Sequence, residues 1–108
     1  MDWINDVQKS INFIEENLLS ELSVDSIADH IYSSASNFQK AFNVITGYSI
    51  GEYVRNRRLT LAAEELLQSD KSVLDVAFKY GYETPESFSK AFKRFHGINP
   101  RDIECMEL

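Results

Sequence analysis

Apolar residues recur along this chain at intervals of three and four almost throughout, and neither a sustained apolar-polar alternation nor an Asn-Gly hairpin signal interrupts them. That spacing predicts an all-α fold of seven helices. Asp2 is placed to cap a first helix whose inward stripe runs Trp3, Ile4, Val7, Ile11, Ile14 and Leu18. Ser23 caps a second helix, with Leu22 and Ile27 in the staple positions, and this helix runs to about Ile31. Ser34 caps a third that stops before Gly47, a residue free to adopt the left-handed conformation that closes helices. Ser49 to Glu52 has capping-box spacing and opens a long fourth helix through Leu67; Ser72 to Asp75 repeats that spacing for a fifth, ended by Gly81. Thr84 followed by Pro85 starts a sixth helix that reaches Phe95 or His96 before Gly97, and Asn99-Pro100 opens a short last one.

The chain repeats itself. Phe38-Gln39-Lys40-Ala41-Phe42, four residues and Gly47 return fifty positions later as Phe88-Ser89-Lys90-Ala91-Phe92, four residues and Gly97. Upstream, Val24, Ile27 and Ala28 return forty-nine positions on as Val73, Val76 and Ala77, so the one-residue difference falls in the connection between two helices. Two helices, a turn and a duplicated set of landmarks describe two helix-turn-helix subdomains, expected at residues 1–49 and 69–108 around a linker helix at 50–68.

In such a motif the first helix braces the second, and the second lies in a DNA major groove with its N-terminal half against base edges. The third helix turns Phe38, Ala41, Phe42 and Ile45 inward at helical spacing and leaves Ser36, Gln39, Lys40 and Asn43 outside. The sixth turns Phe88, Ala91, Phe92 and Phe95 inward and leaves Glu86, Ser87, Ser89, Lys90 and Lys93 outside or flanking. Small residues at Ala28, Ala41, Ala77 and Ala91 allow the paired helices to approach closely. Gln39 has the two-point geometry for adenine, Lys40 and Lys90 donate to guanine, and Glu86 accepts from cytosine, whereas the serines discriminate less. Asn43, Arg55, Arg58, Lys93 and Arg94 suit phosphates, which set register without reading sequence. Arg57, inside the long helix, has a competing internal ion-pair role.

Charge qualifies this picture through its position. The net charge of −6 and pI near 4.8 argue, as totals, against a polyanionic partner. The charge is banded, however. Residues 1–32 and 64–78 are strongly acidic, whereas Lys40, Arg55, Arg57 and Arg58 face only Glu52, and Lys79, Lys90, Lys93, Arg94 and Arg101 outnumber Glu83 and Glu86. Both basic bands coincide with the helices that would face DNA.

Read together, the paired motif, the intervening YVRNRRLTLAAEELL and the terminal set Val76-Ala77, Gly81-Tyr82, Ser87 to Arg94, Gly97 and Pro100 resemble the AraC/XylS family of bacterial transcription regulators over about residues 5 to 104. The resemblance implies a pair of homeodomain-like helix-turn-helix subdomains that binds double-stranded DNA in the cytoplasm, contacts RNA polymerase and usually activates transcription. It also implies base reading by the positions matching Ser36, Gln39, Lys40, Glu86, Ser87, Ser89 and Lys90. Many members carry an effector-binding or dimerisation domain; with Met1 leading straight into the first helix, any such domain is expected after Leu108, so that an effector would act only through a part not in this chain.

Two other functional classes compete with this one. An enzyme finds little support: there is no Gly-rich phosphate loop or nucleophile elbow, His30 and His96 stand without ligand partners at metal spacing, and Cys105 has no activating base. No cofactor is called for. A protein-interaction module derived from a helix-turn-helix, with weak or lost DNA binding, is the alternative that the acidic balance favours. No apolar run approaches the ~18 residues of a membrane span, and a single cysteine excludes a disulfide within the chain, so a reducing compartment is expected.

Overall fold

The computed structural model describes residues 2–31 and 34–105, without the side chains of Glu104 and Cys105; Met1, Leu108 and the Cys105 thiol, named above, lie outside what is described. Six α-helices follow in order, α1 (Trp3–Glu16), α2 (Val24–His30), α3 (Ala35–Thr46), α4 (Ile50–Gln68), α5 (Val73–Lys79) and α6 (Pro85–His96). The expected seventh helix is a 3₁₀ helix, Pro100–Cys105, and the described residues contain no strand. None of the described helices is long and apolar enough to cross a membrane. The chain divides into two compact units, Met1–Arg55 and Asn56–Leu108. The division falls within α4, which gives its first residues to one unit and the rest to the other, where the sequence suggested a separate linker.

Capping chemistry sets the helix starts. Asp2 accepts from the Asn5 N–H, Ser34 from Asn37, Ser49 from Glu52, Ser72 from Asp75 and Thr84 from Ser87, so each side-chain oxygen satisfies an amide that has no carbonyl partner within its helix. At α2 the box is reciprocal, with Ser26 in the role a glutamate often fills: its Oγ accepts from the Ser23 N–H while its own N–H donates to Ser23 Oγ. Gly47 and Gly97 end α3 and α6 at φ of 81° and 84°, where a Cβ would be strained, and their N–H groups donate to the carbonyls of Asn43 and Lys93.

In the first unit α1, α2 and α3 pack on one another around Val7, Ile14, Leu18, Ile27, Ala28, Phe38 and Phe42. Ser10 is buried among these apolar residues, its hydroxyl satisfied by the Val7 carbonyl at 2.6 Å. In the second unit Leu59, Ala62, Ala63, Leu66, Val76, Ala77, Tyr80, Phe88, Phe92 and Ile103 form the core. The four repeated phenylalanines 38, 42, 88 and 92 are essentially inaccessible, each stabilising its unit by roughly 1.5–3 kcal/mol. Of the alanines expected to let the paired helices approach, Ala28 and Ala77 are buried and Ala41 and Ala91 are half-buried.

Three residues expected inside are not. Ile45 and Phe95 are each 43% exposed, and Ile4 is 72% exposed. Ile45 and Phe95 share the angular face of the buried phenylalanines but sit within the last two residues before their helix ends, beyond the part the neighbouring helices cover. Ile4 lies at the edge of the α1 stripe in its first turn.

Candidate nucleic-acid interface

The two helices expected to read DNA are built alike. Both α3 and α6 are twelve residues long, start at a hydroxyl cap and finish at a left-handed glycine. Each is anchored by its own phenylalanine pair one turn apart, with ring centroids 5.9 Å apart for Phe38 and Phe42 and 5.5 Å for Phe88 and Phe92. Each pair has a third aromatic partner: Tyr53 packs edge-on against Phe42, and Tyr82 against Phe88. A helix pinned along one side in this way holds the opposite side in a fixed direction.

On α3 the side chains of Ser36, Gln39, Lys40 and Asn43 are all exposed. On α6 Glu86, Ser87, Lys90, Lys93 and Arg94 are exposed and Ser89 is half-buried. Each helix therefore keeps its expected readers together on its own outer face. Arg55 is exposed, while Arg57 and Arg58 are half-buried. The Arg58 guanidinium lies 3.9 Å from the position a Cβ on Gly81 would take, which places it beside the turn that follows α5.

Two of the residues expected to read bases hold the helix start in this structure. The Ser87 hydroxyl donates to the Thr84 carbonyl at 2.9 Å and accepts from the Thr84 hydroxyl at 3.0 Å, so its proton is held by the helix cap. Glu86 sits in the first turn of α6, where a carboxylate complements the helix dipole. The last turn of α6 carries Lys93, Arg94 and His96, the complementary sign for its carbonyl end, whereas the last turn of α3 has no basic residue.

Several contacts that steady the two units carry no local sequence signal. In the first, the Phe13 and His30 rings stack at 4.2 Å. In the second, Glu65 of α4 takes hydrogen bonds from the Lys79 ammonium and the Tyr80 hydroxyl, with Lys71 at 3.6 Å from its other oxygen, tying α4 to α5. Burial pushes the Glu65 carboxyl up, but the Lys79 hydrogen bond, the charges of Lys79 and Lys71 and the Tyr80 hydroxyl together hold it below its ordinary value. The hydrogen bond to Glu65 raises the Lys79 ammonium, and burial raises the Tyr80 phenol.

Comparison with known proteins places this architecture. Residues 13–104 match the family model described as a helix-turn-helix domain. The HTH-type transcriptional activator AarP of Providencia stuartii is 39% identical over 94 residues, which span 87% of this chain and 70% of AarP. The regulatory protein SoxS of Salmonella typhimurium is 34% identical over 96 residues, covering 89% of this chain and 90% of SoxS. Among solved structures, an AraC-type transcriptional regulator from Chromobacterium violaceum superposes with a TM-score of 0.89 at 24% identity, over 94% of this chain and 90% of that one, a likeness of fold. The DNA-binding domain of AdpA, solved in complex with a target DNA, gives a TM-score of 0.82 at 25% identity over 92% of this chain and 89% of that one. With the duplicated motif, the matching helix ends and these relatives in agreement, the chain belongs to the AraC/XylS family of helix-turn-helix transcription regulators.

Proposed function

We propose that this chain is a bacterial transcription regulator that binds double-stranded DNA by sequence, laying α3 and α6 into neighbouring major-groove segments. The observation that carries this reading is the equivalence of the two helices: each sets a polar residue beside an exposed lysine at the same rank, exposed Gln39 with Lys40 on α3 and half-buried Ser89 with Lys90 on α6, opposite a buried phenylalanine pair. Ser36, Gln39, Lys40, Glu86, Ser87, Ser89 and Lys90 read bases, and Asn43, Arg55, Arg58, Lys93 and Arg94 hold phosphates. The chain acts in the cytoplasm as an activator and contacts RNA polymerase, in keeping with AarP, which is named an activator.

Selection of binding sites from random duplexes, run with the native chain and with Gln39→Ala and Lys90→Ala, tests the assignment. Each substitution is expected to relax preference in a different half of the selected site; an unchanged motif for both refutes the reader roles. The net charge of −6 favours a second reading, a protein-interaction module that has lost DNA affinity. Affinity measured against salt separates the two. Neutralising several phosphates gives a log-log slope of roughly −0.9 per phosphate contacted, and no duplex binding at low salt would select the second reading.

A further inference from the structure

Exposed apolar surface in the first unit gathers at the start of α1 and the end of α3. Ile4 and Val44 are 72% and 82% exposed, and Ile45 and Tyr48 are nearly half exposed. Between the two helices runs a groove of about 400 Å³ lined by Trp3, Asn37, Lys40, Ala41, Val44 and Ile45. That volume lies within the roughly 300–1,000 Å³ of sites that hold small organic ligands. Its walls are apolar, with an indole on one side, and Lys40 is the one charged residue among those lining it.

The duplicated motif shows that the fold does not require this surface. Fifty positions on, the residue matching Val44 is Arg94, an exposed cation, so the same place on the second helix favours an anionic backbone over an apolar guest. A valine left exposed where its counterpart is an arginine, beside an indole and a single ammonium, has the complementarity of a flat apolar body with one negative charge.

We infer that the groove between α1 and α3 binds a small aromatic carboxylate, its rings against Trp3, Val44 and Ile45 and its carboxylate on Lys40, and that the bound anion withdraws Lys40 from DNA. The second half of this statement rests on the proposed DNA-reading role of Lys40; the first does not. Ligand control would then reside in the DNA-binding unit itself.

Trp3 is the only tryptophan, so its indole N–H gives one resonance at the site. The full chain is titrated with 2-naphthoate and followed by ¹H-¹⁵N correlation spectra. The Trp3 indole and Asn37 side-chain amide signals are expected to shift saturably in the millimolar range or below. Lys40→Gln should weaken binding about fivefold, the scale of one exposed ion pair. Val44→Asp, at a site too exposed to matter for folding, should weaken it at least ~10-fold by like-charge repulsion. Absence of saturation, equal affinity for neutral 2-naphthylmethanol, an unaffected Val44→Asp variant, or shifts that follow protein concentration and so report self-association would each overturn the site. In a second arm, 2-naphthoate should raise the apparent Kd for the selected duplex with the native chain and not with Val44→Asp. Saturable shifts without this competition overturn the coupling, and a chain that binds no DNA sinks the proposed function while the spectra still decide the groove.

Discussion

The Nε2 of His96, at the end of α6, lies 2.8 Å from the carbonyl oxygen of Leu59 in α4. A carbonyl has only lone pairs to offer, so the imidazole carries its proton on Nε2 and donates. The same ring packs against Phe92 at 4.3 Å and Phe95 at 4.8 Å, joining the hydrogen bond to the aromatic side of α6. His96→Ala therefore removes a hydrogen bond and a ring contact together and is expected to destabilise the second unit by about 1–2 kcal/mol in chemical denaturation. His96→Gln, which keeps a donor without the ring, should recover part of that loss. Equal losses for the two variants would show that the ring contacts alone matter.

Glu65 gives the second unit a dependence on pH. Its carboxyl titrates lower in the folded chain than in the unfolded one, so its contribution is fully present above the unfolded value of about 4.3 and is lost as pH falls through the folded value. Lys79 and Tyr80 titrate higher when folded, so their contribution is fully present below the unfolded values near 10 and is lost as pH rises beyond them. Thermal melting against pH should show a plateau between these limits. Glu65→Gln should flatten the acid limb, and an acid limb identical to the native one would remove Glu65 as its source.

Gly47 and Gly97 have open space around the position a Cβ would occupy, so alanine at either site is opposed by backbone conformation alone. Each substitution is expected to cost about 1–2 kcal/mol, with asparagine costing less because it tolerates the left-handed region. Denaturation midpoints of the four variants check this, and the two sites should behave alike.

Lys93 and Arg94 are assigned to phosphates, which are the same at every sequence. Lys93→Ala and Arg94→Ala should weaken binding to all duplexes about equally and each reduce the magnitude of the salt slope by about 1. A change in the selected sequence would move either residue into the base-reading set.

Much of this architecture was legible in the sequence because helix boundaries are local chemistry. Ser34, Ser49, Ser72 and Thr84 cap the helices they precede, and Gly47 and Gly97 close α3 and α6, all within a few residues of the positions they control. The outward placement of Ser36, Gln39, Lys40 and Asn43 follows from the same periodicity, since whatever stands across a helix from Phe38 and Phe42 is directed outward. Periodicity gives an angle and says nothing of how far along a helix its neighbours reach, which is why Ile45 and Phe95 stand exposed although the pattern turns them inward. Contacts such as Glu65 with Lys79 and Tyr80, or His96 with Leu59, join residues from different helices and leave no trace in either segment alone. Ser10, buried with its hydroxyl turned back on Val7, shows the same limit for a polar residue at the flank of an apolar stripe.

The partition into two compact units gives the molecule a built-in pair of reporters. Trp3 belongs to the first unit and His96 to the second, so indole emission follows the unfolding of one half while the imidazole resonances of His96 follow the other. If the halves melt at different temperatures, the unlabelled protein will say so, and a nucleic acid or small molecule that grips only one of them will declare which by the signal it delays.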